Sequence, residues 1–147
     1  MSLAERLLAD LKEAMRAQDV VTRDTLRMAR SAIQYAEIEQ QRPATDEEVE
    51  AILRREIKRR NEAVILFRQG KREDLAAADE AQIQVLERYL PKQLSHDEVA
   101  AVLREIADEQ GLTSPSQLGQ LMRLAMPRLK GQADGSMVNQ VAREILS

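Results

Sequence analysis

The residues with chemical promise in this sequence are basic rather than nucleophilic or metal-ligating. Arg54-Arg55-Glu56-Ile57-Lys58-Arg59-Arg60 opens a stretch to Arg72 that holds eight basic residues against Glu56 and Glu62, a local balance of +6. On a helix Arg55, Lys58 and Arg59 share neighbouring faces, and cations so spaced can grip successive phosphates. The same run also reads as a solvated face, on which Glu56 and Glu62 pair with bases three and four residues away. Arg60 is a separate case, because it falls between Ile57 and Val64 at spacings of three and four. It therefore lies on or beside a buried stripe and needs a carboxylate partner. Asp74 or Glu80 on the following helix is the expected source, which makes Arg60 structural.

A second candidate is Lys130-Gly131-Gln132-Ala133-Asp134-Gly135-Ser136. Gly131 can end one helix while Asp134 or Ser136 caps the next. Two glycines beside a helix start also bare backbone N–H groups, so a phosphate or another backbone can approach closely. Arg128 and Lys130 add a positive field, and Asp134 opposes an anion unless capping engages it. Both readings stand on chemistry alone. Gly70-Lys71-Arg72-Glu73-Asp74-Leu75 reads as a helix-to-helix turn, with Gly70 expected in left-handed geometry.

Other chemistries are closed off. With no cysteine there are no disulfides, thiolate metal sites or cysteine nucleophiles, and one histidine cannot build a multi-histidine centre. That residue, His96, follows Ser95 in an expected first helical turn, where a solvated side chain is the natural reading. No GxxxxGK[ST] loop or dinucleotide fingerprint occurs. Paired carboxylates such as Glu47-Glu48 have no apolar pocket or base partner to mark them for acid–base work. No catalytic residue is assigned. The longest apolar run, Ala63 to Phe67, is far too short to span a bilayer. The opening residues show no signal-peptide pattern, so a cytoplasmic location is the default expectation.

These side chains must be positioned by helices. The 147 residues are 44% hydrophobic and 32% charged but only 2% aromatic, with five glycines and four prolines. Sheets need aromatic and β-branched strands broken by frequent turns, whereas Ala, Leu, Glu, Arg and Gln form helices, so the class is all-α. Ser2 with Glu5, Thr45 with Glu48, Ser95 with Glu98 and Ser114 with Gln117 fit the capping box. The patterns predict helices over about Leu3–Ala17, Val20–Gln40, Asp46–Gln69, Glu73–Leu90, His96–Gln110 and Pro115–Leu124. Pro127 is expected to interrupt the next segment, and a last helix carries Met137, Val138, Val141, Ile145 and Leu146. In the second helix Val21, Met28, Ala32, Ile33 and Tyr35 are the expected apolar positions. Leu90 to Leu94, with Pro91, reads as a linker. The 53 residues from Ser95 onward are too few for a robust core alone, so some docking onto the front half is expected.

Two stretches resemble the YqeY family. One is Gly70-Lys71-Arg72-Glu73-Asp74-Leu75, followed by Leu86 and Tyr89-Leu90-Pro91-Lys92-Gln93-Leu94-Ser95. The other is Leu118-Gly119, Met126-Pro127, then Lys130-Gly131-Gln132-Ala133-Asp134-Gly135 and Val138. The second is similar to the tail shared with the B subunit of the glutamine-dependent Asp/Glu-tRNA amidotransferase. The resemblance implies a four-helix N-terminal subdomain over residues 1–92 and a three-helix C-terminal subdomain over residues 95–147. It also implies kinship with tRNA-dependent amidation, where the tail domain contacts the outer corner of tRNA. The family label, carbon–nitrogen ligase with glutamine as amido donor, belongs to the full multi-subunit enzyme, whose amidase and ATP-using parts have no counterpart in these residues. The implied role is thus an accessory tRNA-binding module rather than an enzyme on its own. Its RNA-binding candidates are Arg55, Lys58, Arg59, Arg128, Lys130, Gly131 and Gly135. The alternative is a module that docks, without RNA contact, on part of an amidotransferase or aminoacyl-tRNA synthetase through an apolar groove between the subdomains. Cofactors, metals, DNA and membranes are not among the implied partners.

Overall fold

Most helix starts in this chain are written by hydroxyl and carboxylate caps. In the computed structural model, which describes residues 1–147, Ser2, Thr45 and Ser95 each accept the N–H of the residue three further on, while Glu5, Glu48 and Glu98 reach back to the cap N–H. The reciprocal pair satisfies two donors that helix geometry leaves unpaired. Seven α-helices result, with no strand: α1 (Leu3–Ala17), α2 (Val20–Gln40), α3 (Asp46–Gln69), α4 (Glu73–Glu87), α5 (His96–Gln110), α6 (Leu118–Leu129) and α7 (Gly135–Leu146). No helix is long and apolar enough to cross a membrane.

The chain divides into two compact units, Met1–Leu90 and Pro91–Ser147. In the first, Leu7, Leu11, Leu26, Val49, Leu53 and Leu86 form the main core. A smaller cluster of Val64, Ala76 and Ile83 joins the far end of α3 to α4. The second unit carries its own core, in which Val99 and Leu103 of α5 meet Leu121, Ala125 and Leu129 of α6 and Val138 and Val141 of α7.

Three expectations are corrected here. In α2 the buried stripe is Thr22, Thr25, Leu26, Ala29 and Ile33, while Val21, Met28 and Tyr35 are exposed. Burial of the two threonines costs little, because Thr25 Oγ1 donates to Val21 O at 2.7 Å and Thr22 Oγ1 donates to Asp19 at 2.7 Å. The helix that starts at Glu73 stops at Glu87, where the N–H groups of Tyr89 and Leu90 turn to the carbonyls three residues back. Pro127 does not interrupt: Pro115–Gln117 form a 3₁₀ turn, and α6 continues through Pro127 to Leu129. The proline sits in the last turn, and Leu121, Ala125 and Leu129 keep one buried stripe running past it.

The Thr45 cap also sets a pH response. Besides closing the capping box, Glu48 takes two hydrogen bonds from Arg42, at 2.6 and 3.2 Å. Chiefly through Arg42, and then through the Thr45 N–H, its carboxyl is held down at about 2, against an ordinary value of 4.5. A carboxyl depressed in the folded state stabilises above its unfolded pKa and loses that contribution as pH falls through the folded one. Thermal unfolding temperature is therefore expected to decline between pH 4.5 and 2. The decline should be shallower in Glu48→Gln; equal slopes would remove Glu48 as a cause.

Candidate nucleic-acid interface

The basic run on α3 is less positive in three dimensions than in sequence. Arg54 pairs with Glu50 at 3.4 Å, and Arg59 with Glu56 at 3.6 Å. Arg68 binds Glu73 at 3.2 Å and Glu80 at 2.6 Å, and Arg72 binds Asp74 at 3.1 Å. Arg55 and Lys58 remain exposed with no acidic partner, and Arg59 is exposed beside them. These three form the cationic part of the outward face of α3, as helical spacing requires.

Arg60 is buried, at 7% exposure, but Asp74 and Glu80 are not its partners. Its Nη1 donates to Glu56 Oε2 at 2.9 Å and to Glu56 O at 3.2 Å, and its Nε donates to Gln82 Oε1 at 2.9 Å. Met28 Sδ lies 3.7 Å from Nη2. The physical reason is proximity along one helix: Glu56, four residues back, is on the same face, whereas Asp74 and Glu80 are engaged by Arg72 and Arg68. The α3–α4 turn brings another correction. Gly70 has φ −84°, and the left-handed residue is Lys71 at φ 58°. Helical bonding runs one residue further than expected, so that Arg72 N donates to Phe67 O and Lys71 N to Arg68 O, a Schellman closure.

In the second unit, the turn from Lys130 to Gly135 is closed on one side and open on the other. Gly131 takes φ 82°, and its carbonyl accepts from Gln93 Nε2 at 2.9 Å. Leu94 N donates to Gln132 O at 2.7 Å, so the segment after Pro91 is stitched to the turn. Asp134 caps α7, accepting the Ser136 N–H at 3.4 Å, which commits its carboxylate. Gly135 begins α7, and a Cβ there would meet only Met126 Cε, the flexible end of that side chain, in ordinary contact at 3.9 Å. Lys130 is exposed without an acidic partner, and Arg128 is loosely paired with Glu105 at 3.7 Å. His96 is exposed and lies 3.1 Å from Glu144.

One polar cluster had no signal in the sequence. A cleft of about 330 Å³ in the first unit is lined by Arg6, Asp10, Asp19, Thr22, Arg88 and Tyr89. Tyr89 donates its hydroxyl to Asp10 at 2.6 Å while the Arg6 guanidinium lies 4.8 Å from its ring centre. The partners are 79 residues apart, and only the i,i+4 spacing of Arg6 and Asp10 is local.

The profile of the family described as Yqey-like protein matches residues 4–146. The chain belongs to the Yqey-like family. An uncharacterized protein of Schizosaccharomyces pombe is 36% identical over 94 residues, covering 64% of this chain and 73% of that protein. The altered inheritance of mitochondria protein 41, mitochondrial, of Pyrenophora tritici-repentis is 29% identical over 147 residues, covering 96% of this chain and 79% of that protein. The E subunit of the glutamyl-tRNA(Gln) amidotransferase of Methanobrevibacter smithii is 38% identical over 55 residues, which are 35% of this chain and 9% of that polypeptide. The Yqey-like chain is thus related in part to a component of a tRNA amidotransferase.

Proposed function

We propose that this chain is an accessory RNA-binding module related to the tRNA-dependent amidation machinery, without a catalytic step of its own. The observation that carries the reading is the partial similarity to a component of an amidotransferase named for its tRNA substrate. The exposed cations supply the physical means. Arg55, Lys58 and Arg59 on α3 take phosphates, and so do Arg128 and Lys130 beside the turn at Gly131 and Gly135, where a ribose–phosphate backbone can approach closely.

Filter binding with total tRNA at two salt concentrations tests it, because each neutralised phosphate releases counterions. Lys130→Ala is expected to weaken binding across RNA sequences and to flatten the salt slope by about one phosphate's share. Gly135→Val should fold, since its Cβ meets only the flexible end of Met126 at contact distance, and bind tRNA poorly. Folded variants that bind as tightly as the parent would sink the assignment of this turn. Ile65 and Leu66, exposed on α3, favour a second reading, a module that docks on part of an amidotransferase or synthetase. Salt-insensitive capture of such a protein, with no tRNA binding, would select it.

A further inference from the structure

Helix α2 leaves a row of large apolar side chains uncovered. Val21 is 45% exposed, Met28 51%, Tyr35 72% and Ile38 76%. The first three recur every seven residues and the fourth follows after three, which is the a/d pattern of a coiled-coil seam. Asp24 and Ser31 occupy the two remaining d positions. Leu26, Ala29 and Ile33 of the same helix already face the core, so the row is a second stripe outside it, touched from within the unit at Met28, whose Sδ lies 3.7 Å from Arg60 Nη2.

The row is complementary to itself in one orientation. When two copies of α2 run antiparallel, a positions oppose d positions. Val21 then packs on Ile38 of the second copy, Met28 on Ser31, and Tyr35 reaches Asp24, whose carboxylate can accept the phenol hydrogen. On the flank Arg27 faces Gln34, and no like charges oppose. A parallel pairing sets Asp24 against Asp24 and forfeits these matches. An antiparallel pair also generates the isologous two-fold contact that closes a dimer. We propose that α2 is a self-association surface, through which two copies of this chain pair antiparallel with Val21 against Ile38.

The chain has no cysteine, so single cysteines report the geometry directly. Val21→Cys and Ile38→Cys chains, mixed and oxidised, should give a covalent heterodimer. Either variant alone should not cross-link, because the two copies of one residue lie about 25 Å apart along the helix, beyond disulfide reach. In sedimentation velocity the parent should shift from 16.7 kDa toward twice that mass as concentration rises into the upper micromolar range, as suits a one-helix interface. Ile38→Glu and Tyr35→Glu, both at exposed sites, should keep their helix content and stay monomeric. A parent that stays monomeric without heterodimer cross-links would overturn the proposal, as would self-linking of Val21→Cys. So would a monomeric parent whose tRNA affinity falls in Tyr35→Glu, since the stripe would then serve RNA.

Discussion

Arg60→Ala is expected to lower the unfolding free energy by about 3 kcal/mol, in line with the loss of one partner from a buried pair. The guanidinium is buried and engages Glu56 twice and Gln82 once. Its removal leaves the Glu56 carboxylate, itself only 14% exposed, with Arg59 at 3.6 Å as its remaining cation. Gln82 Oε1 loses the donor from α3, and the space held by the arginine stem empties beside Ile57 and Val64. Arg55→Ala and Arg59→Ala should each change stability by less than about 0.5 kcal/mol, as at ordinary surface sites. Arg60→Met, which keeps the stem volume but not the donors, should fall between. Urea titration with unchanged slope separates these cases. Equal losses at positions 55, 59 and 60 would show that burial does not distinguish Arg60 from its neighbours.

The same residue marks how far the sequence could be read. Spacing from Ile57 and Val64 placed Arg60 toward the interior, because a helical period converts position into face. Its partner was not legible. Glu56 looked like one more member of a solvated salt-bridge face, and only the packing of α4, which brings Gln82 to Nε, shows where the guanidinium points. In the basic run most pairing acids lie close in sequence: Glu50 to Arg54, Glu56 to Arg59, Glu73 to Arg68 and Asp74 to Arg72. That is the solvated face that spacing offered, and only Glu80, twelve residues from Arg68, is brought in by the packing of α4. In α2, large apolar side chains at sevenfold spacing looked like the core stripe, but the core took the adjacent stripe of Thr22, Thr25, Leu26, Ala29 and Ile33. The two threonine hydroxyls are satisfied locally, by Val21 O and Asp19, so they can be buried, a property that hydrophobicity does not register. The helix starts were the most legible part, because a capping box is a local motif whose donors and acceptors lie within four residues. The Lys130–Gly135 turn was legible as a helix break but not as a segment fastened to Gln93 and Leu94, since those bonds span 38 residues.

Tyr89→Ala is expected to cost about 4 kcal/mol, as for truncation of a buried aromatic side chain. Tyr89 is buried against the main core of the first unit. Its hydroxyl donates to Asp10 on α1, and Arg6 both covers its ring and donates to Arg88 O at 3.3 Å. One side chain therefore fastens the end of α4 to α1, and the loss should concentrate there. Amide exchange is expected to accelerate across residues 3–17 and 73–87 in Tyr89→Ala while α5 to α7, which have their own core, keep their protection. Tyr89→Phe retains the ring and loses only the bond to a charged acceptor, about 1.5–2 kcal/mol. The hydroxyl also carries a pH signature. Burial first, and then the Asp10 bond, push the phenol above its ordinary value of 10.0. A raised phenol pKa means the unfolded chain releases its proton first, so the stabilisation is complete below pH 10 and declines as pH rises beyond it. The parent should lose stability above pH 10 more steeply than Tyr89→Phe. Parallel curves for the two proteins, or exchange that quickens equally in α5 to α7, would mean that Tyr89 is not the fastening between α1 and α4.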